Sequence, residues 1–454
     1  MRELSRGTRS LVVAPVLALC LCLGGVSARA GELEDRVKAE VPELQKTYEY
    51  LHAHPELSFQ EEKTSAYVAG RLRQLGFEVT EGFGHYDVEG RVPHGVVGVL
   101  KNGDGPTVLV RTDLDALPIT EATGLPYASQ VRAQDDAGNE VGVMHACGHD
   151  LHMTSFLGTA AELAGLRDRW RGTLVMIGQP AEERGNGARA MLAGGLYERF
   201  GRPDYALALH TNASLEAGKV GVVPGYALAN VDSVDITVRG RGGHGSRPEN
   251  TNDPVTLAAY IVVGLQPIVS RRVSPFDPAV VTVGSIHGGT KHNIIPDQVT
   301  LQLTVRSYEA QVRRQLLDGI REVAVNTARA QGFPEDLLPV VDVEEQEATS
   351  ATYNDPELTG RLERVFAQAL GADRVVEMSP VMGAEDFSCY ALDRKIPSMI
   401  FWLGAVDPAK KAEAERTGTP LPSLHSSLLA PLPAPAIRTG VTAMTAAVLD
   451  LMGT

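Results

Sequence analysis

Two rhythms of apolar residues exchange places along this chain. From Glu32 to Leu75 they recur at helical spacing, with breaks predicted at Pro42 and Pro55. Val96–Leu100 and Thr107–Thr112 are instead short, nearly continuous apolar runs. Asn102-Gly103-Asp104-Gly105-Pro106 between them has the composition of a turn joining two buried strands. The second run leads into Asp113-Leu114-Asp115, where strand alternation sets both carboxylates on one side. Thr154–Leu166 reads as a helix and Gly172–Gly178 as a buried strand ending in Gln179-Pro180-Ala181-Glu182-Glu183. A helix over Ala188–Leu196 and a strand over Tyr205–Leu209, ending on His210, follow. Strands alternating with helices, with polar residues gathered at the strand ends, predict an α/β sheet whose site lies at its carboxyl edge.

Near Ala227 the pattern shifts. Val231–Arg239 alternates as a strand and leads to the glycine-rich Gly240-Arg241-Gly242-Gly243-His244-Gly245. A helix (Pro254–Ser270), two strands (Val280–Ile286 and Gln298–Ser307), a long helix (Ala310–Gln331) and a strand (Leu338–Glu344) come next. The order β-α-β-β-α-β is that of a ferredoxin-like unit. The earlier alternation then resumes, with a helix over Glu357–Leu370, a strand over Ser398–Leu403 and a helix at the end of the chain. The 454 residues exceed what one core usually organises. We therefore divide the chain into a first domain split between residues 31–226 and 346–454, and a second domain, 227–345, inserted into it.

The start is of another kind. Arg2, Arg6 and Arg9 precede an apolar run from Leu11 to about Leu23, and Ser27-Ala28-Arg29-Ala30 offers an Ala-x-Ala cleavage site. Residues 1–30 read as a secretory signal peptide, and the mature protein as periplasmic or secreted. The run is short of the roughly 20 residues a membrane span needs and contains Pro15. Its removal takes out four Arg and one Glu and moves the formal charge from −14 to −17. So acidic a chain has no electrostatic reason to bind nucleic acid or anionic lipid. Cys147 and Cys389 remain after cleavage; a disulfide between them is open in an oxidising compartment, but we read Cys147 as a metal thiolate and Cys389 as a buried small residue.

The densest chemistry is Met144-His145-Ala146-Cys147-Gly148-His149-Asp150-Leu151-His152. A thiolate and an imidazole two residues apart in a tight turn can grip one metal ion, or one of a neighbouring pair, if carboxylates and imidazoles arrive from elsewhere. A lone Cys-x-His is more often a buried cysteine beside a core histidine. Here Glu182, Glu183, His210 and His425 lie downstream to complete a set. Of two adjacent carboxylates, one can ligate metal while the other takes a proton from the metal's water. His52-Ala53-His54 also invites a metal reading, but no carboxylate-and-His set is tied to it.

These motifs, with Gly288-Gly289-Thr290-Lys291-His292-Asn293-Ile294-Ile295-Pro296 and Leu424-His425, occur in the order found in the metal-dependent aminoacylase/carboxypeptidase peptidase family. The chain resembles most the branch of hippurate hydrolases, N-acyl-amino-acid amidohydrolases and auxin-conjugate hydrolases, over essentially its whole mature length. The resemblance implies a central-sheet catalytic domain with two divalent metal ions, zinc or manganese with cobalt or nickel possible, and an inserted lid that makes a homodimer. Cys147, His149, Glu183, His210 and His425 match the ligands. Glu182 matches the general base that activates the metal-bridging water, and Asp115 a carboxylate that orients a ligand histidine. His244 matches a lid histidine that reaches the other subunit's site and stabilises the oxyanion. Asn293 and Arg306 match contacts to a small substrate's carboxylate. Leu151 stands where the branch usually has Ala, and Arg184 and Asn186 interrupt a usually glycine-rich run. The activity implied is hydrolysis of N-acyl or aryl-acyl amino acids. The alternatives are a carboxypeptidase or dipeptidase on the same site, and a periplasmic metal-binding protein.

Overall fold

The computed structural model describes the backbone of residues 17–88 and 90–453, and side chains from residue 31 onward except 346 and 347. The signal peptide expected at residues 1–30 therefore lies outside the described residues, apart from the backbone from Leu17.

Eight strands form the larger sheet. In spatial order they are Glu78–Phe83, Gly95–Asn102, Gly172–Gln179, Thr107–Asp113, Tyr205–Glu216, Ser398–Val406, Val220–Val222 and Val375–Glu377. The four central strands, from Gly172–Gln179 to Ser398–Val406, run parallel. Both faces of a parallel sheet are covered, so its strands are continuously apolar, as the Val- and Ile-rich runs here are. Helices Leu17–Ala53, Glu62–Gln74, His149–Gly165, Pro356–Leu370 and Pro433–Met452 bury their apolar faces on one side around Tyr48, Trp170 and Phe366. Phe387, Tyr390 and Trp402 fill the other. The carboxyl ends of the central strands all open on one edge.

The first helix runs through Pro42 without a break, contrary to expectation. Pro42 is exposed, so the carbonyl it leaves unpaired faces water. The buried stripe Leu33, Val37, Leu44, Tyr48 and Leu51 meanwhile continues across it. Burial of that stripe outweighs the ~3 kcal/mol an interior proline usually costs. The strand expected to end on His210 extends to Glu216, which places His210 within it. The helix expected from Thr154 begins at His149.

The second sheet has the order Ala279–His287, Gln298–Ser307, Asn230–Arg239, Val340–Thr349, all antiparallel. Helices Pro254–Pro267 and Ala310–Ala330 pack on it through Leu257, Ile261, Leu316 and Ile320. This is the ferredoxin-like arrangement. Its last strand runs to Thr349. Of the described helices, the stretch Pro254–Arg272 alone is long and apolar enough to cross a membrane, yet its inner face belongs to this core. Where the chain enters and leaves the unit, Gly225–Leu228 and Thr352–Asn354 pair antiparallel.

Candidate metal centre and cleft

At the carboxyl edge, residues far apart in sequence converge on a cavity of about 560 Å³. Cys147 lies in the turn before the helix that His149 opens. Gly148 between them has φ +83, and a Cβ there would meet Thr211 Oγ1 at 2.7 Å, so this turn requires glycine. His425 (φ +63) arrives on the late loop and donates its backbone N–H to the Ala146 carbonyl at 2.8 Å, which fixes that loop against the Cys-Gly-His turn.

The ring orientations are set from behind. His149 Nδ1 donates to the Asp115 backbone carbonyl at 2.8 Å, and His210 Nδ1 to the Thr211 carbonyl at 2.8 Å. Each ring is thereby turned so that Nε2 faces the cavity, the nitrogen a metal would take once it has lost its proton. His210 Nε2 lies 3.6 Å from Cys147 Sγ. His425 Nε2 lies 3.6 Å from Glu183 Oε2, and His149 Nε2 lies 3.8 Å from Glu183 Oε1. Two donors about 2.0–2.3 Å from one tetrahedral zinc sit roughly 3.3–3.7 Å apart, so these separations are close to those of shared ligands. Among the described residues, His149 Nε2 and Glu183 Oε1 are buried without a hydrogen-bond partner. An orphaned donor set of one thiol, three imidazoles and a carboxylate fits divalent cations.

The electrostatics point the same way. Burial first, then Glu385 and Glu183, hold the Glu182 carboxyl well above its usual range. Burial raises Glu183 to about 7 against the opposing pull of His149. The Cys147 thiol is pushed up by burial and by Glu183 and Glu182. The site carries an excess of negative charge that a divalent cation would offset.

Of the residues singled out from sequence, Cys147, His149, Glu182, Glu183, His210, His425 and Arg306 line this one cavity or reach into it, with Asp115 directly behind. Asp115 Oδ1 stands 3.5 Å from His149 Nδ1. The shorter bond to that ring comes from the Asp115 backbone carbonyl, while Oδ2 accepts from Ser58 Oγ at 2.7 Å and from the Glu183 N–H at 3.0 Å. Arg306 is half-buried in the cavity lining and donates Nη1 to the Met382 carbonyl at 2.7 Å. His244 and Asn293 do not line the cavity. Both are exposed on a small ribbon where Gly243–His244 pairs with Ile294–Ile295. Cys389, expected to be buried, is half-buried, and neither it nor Cys147 forms a disulfide.

Sequence reasoning passed over a buried group beneath Glu182. Arg111 donates to Asp113 (2.7 Å), Glu385 (2.8 Å), Asp386 (3.1 Å) and Gln179 (2.9 Å). Glu385 and Asp386 come within ligand distance of Glu182. Their adjacency before the buried Phe387 was the available signal, the same one that drew attention to Glu182-Glu183. His152 joins this layer, with Nδ1 donating to Asp113 (2.8 Å) and Nε2 accepting from the Thr211 N–H (2.7 Å).

Peptidase family M20/M25/M40 matches residues 109–424, the span from the strand before Asp113 to the residue before His425. The chain belongs to this family. It is 36% identical over 392 residues to thermostable carboxypeptidase 2 of Saccharolobus solfataricus, covering 84% of this chain and 91% of that one. It is also 36% identical over 356 residues to the hippurate hydrolase of Campylobacter jejuni, covering 78% and 86%. Among solved structures, a Bacillus subtilis dinuclear metal-binding peptidase of the M20 family matches with a TM-score of 0.72 at 29% identity, covering 91% of this chain and 99% of that chain. The protein is thus an M20-family hydrolase with a site for divalent metal, which removes the reading as a metal-storage protein.

Proposed function

We propose that the protein hydrolyses the amide bond of N-acyl or aryl-acyl amino acids, releasing the free amino acid. The observation that carries this reading is the placement of two neighbouring carboxylates. Glu183 stands between His149 and His425, where the donors converge. Glu182 faces the same cavity and packs with Glu385 and Asp386, which favour its taking up a proton. In this reading Cys147, His149, Glu183, His210 and His425 hold two divalent ions, zinc or manganese. When bound, these ions polarise the amide carbonyl and acidify water. Glu182 removes a proton from the attacking water and delivers it to the leaving nitrogen as the C–N bond breaks. Asp115 holds the backbone that orients His149. Arg306 faces the cleft as a clamp for the substrate carboxylate.

His244 and Asn293 are exposed and away from the cavity of their own chain, so we assign them to the cleft of a second copy in a homodimer. The inserted unit offers a suitable surface. Its strand Ala279–His287 is a sheet edge, and Tyr260 and Val263 on the adjacent helix are 60% and 69% exposed. We take residues 227–345 as this lid and residues 1–30 as an export signal. An N-terminus near Gly31 by mass spectrometry of exported protein is expected, and an intact Met1 would exclude it.

The named relatives include both a carboxypeptidase and a hippurate hydrolase, so substrate choice is the deciding test. Amino-acid release from N-acetyl- and N-benzoyl-amino acids is compared with release from C-terminally free peptides, with zinc, manganese or cobalt added. Faster turnover of the acyl-amino acids is expected. Turnover of peptides alone would overturn the assignment in favour of the carboxypeptidase reading.

A further inference from the structure

The turn Pro180-Ala181-Glu182-Glu183 has to aim two adjacent side chains at different tasks, and its backbone is unusual. Ala181 has φ +50, in the left-handed region that a residue with a Cβ seldom adopts. Something outside the turn must therefore hold it. The Ala181 N–H donates to Glu61 Oε1 at 2.8 Å, and the accepting carboxyl group is completely buried and 120 residues earlier in the chain. The Glu183 N–H of the same turn is taken by Asp115 Oδ2 at 3.0 Å.

Glu61 belongs to a short segment that touches the metal-bearing loops at three points. The Glu56 carbonyl accepts from the Ala116 N–H at 2.8 Å, Ser58 Oγ donates to Asp115 Oδ2 at 2.7 Å, and Glu61 receives Ala181. Glu61 faces neither solvent nor the cleft. Among the described residues its second oxygen, Oε2, has no hydrogen-bond partner, and its hydrogen bond across the fold is the one to Ala181. Burying a carboxylate in this way is costly, and a purely structural helix start would use a shorter capping side chain.

We propose that Glu61 is a positioning residue for catalysis: by accepting the Ala181 N–H it holds the left-handed turn that sets Glu183 toward the metal donors and Glu182 toward the reacting water. The kinetic arm of its test rests on the function proposed above; the metal-binding arm does not.

Glu61→Leu, Glu61→Asp and Glu61→Gln are compared as full-length purified proteins. Zinc affinity is measured by competition with a chromophoric chelator, beside kcat, KM and melting temperature. Asp keeps a carboxyl group but is one methylene too short to reach Ala181, whereas Gln keeps an acceptor oxygen at the right length. Loss of a residue that orients a ligand typically costs about 10–100-fold in metal affinity or activity. Leu and Asp are expected to lose about tenfold or more in zinc affinity and in kcat, with KM within about threefold. Gln is expected to recover most of both. Adding Ala181→Gly to Glu61→Asp should recover part of the lost kcat, because glycine adopts the positive φ unaided. Should Glu61→Leu fail to fold, the Asp and Gln pair decides. Wild-type zinc affinity and kcat in Glu61→Asp would overturn the inference, as would a Gln variant as impaired as Asp. If the wild type releases no amino acid from any acyl substrate, the proposed function fails while the zinc arm still decides this inference.

Discussion

Replacing His52 with leucine tests how the first helix is fastened to the catalytic loops. His52 is 1% exposed; Nδ1 lies 2.7 Å from Asp150 Oδ2 and Nε2 lies 3.1 Å from Glu121 Oε1. With a carboxylate at each nitrogen, the ring bonds both only as an imidazolium. Burial opposes that charge, but hydrogen bonds and charge from Asp150 and Glu121 outweigh it and raise the ring to about 10. The free imidazole titrates near 6.5, so between these values the folded protein binds a proton the unfolded chain does not. The resulting stability is complete below about pH 6.5 and disappears as pH rises through 10. A separation of that size, at about 1.4 kcal/mol per pH unit, is worth about 4–5 kcal/mol near pH 6 and about 1–1.5 kcal/mol at pH 9. An independent argument gives a similar figure: leaving partners of a buried ion pair uncompensated costs about 3–5 kcal/mol. Asp150 and Glu121 are both lowered, so their own contribution is lost only on acidification into the carboxylate range. The clean window is therefore pH 6 to 9.

Urea unfolding of wild type and His52→Leu, across that window at fixed ionic strength, should show the variant less stable by several kcal/mol at pH 6. The gap should narrow as pH rises. A difference that does not change with pH would mean the ring is neutral in the folded protein. A loss below about 1 kcal/mol at pH 6 would mean that Asp150 and Glu121 find other partners.

Three further results follow from the same geometry. Glu182→Gln should keep its metal while kcat falls about 10²–10⁴-fold, whereas Glu183→Gln should lose metal and recover partly in excess metal; elemental analysis beside kcat decides, and the opposite pattern reverses the two roles. Arg111→Met leaves Asp113, Glu385 and Asp386 without their buried cation, so the folded protein should lose about 3–5 kcal/mol in urea unfolding at neutral pH; a loss under about 1 kcal/mol would show that those carboxyl groups find other partners. Inactive His244→Ala mixed and re-associated with inactive Glu182→Gln should regain activity through hybrid dimers, and its complete absence would refute an action of His244 across subunits.

The central strands were legible because burial on both faces leaves little room for polar residues. The apolar runs at Thr107–Asp113 and Gly172–Gln179, and Gly95–Asn102 beside them, stand out for that reason, and each lies within two residues of its expected ends. Strands lacking such a signature were missed. Glu78–Phe83 is a mostly exposed edge strand, and Val220–Val222 is only three residues long. Pro42 misled because a local rule about hydrogen bonds was applied without knowing which face of the helix it occupied. Periodicity around Leu33, Val37, Leu44, Tyr48 and Leu51 carried that information and outweighed the proline.

The site divides along a similar line. The proposed donors Cys147, His149, Glu183 and His210 were legible because each stands in or beside an apolar strand or a tight turn, where a polar side chain contrasts with its neighbours. Arg111, Glu385, Asp386 and Glu61 obey no such constraint. Arg111 meets Glu385 across 274 residues, and Glu61 meets Ala181 across 120; in sequence each is one ordinary charged residue among many. Their work is to hold rather than to bind, and it is defined only by what surrounds them. Six carboxylates, from Asp113, Asp115, Glu182, Glu183, Glu385 and Asp386, crowd one buried region around Arg111 and the site histidines. A chain folds around so much like charge only if cations and oriented backbone N–H groups offset it. Arg111 offsets the layer beneath Glu182, and the N–H groups of Glu183 and Ala188 donate to Asp115 and Asp386. What remains uncompensated faces the donor set at Glu183, which is where a divalent cation would stabilise the fold and the chemistry together.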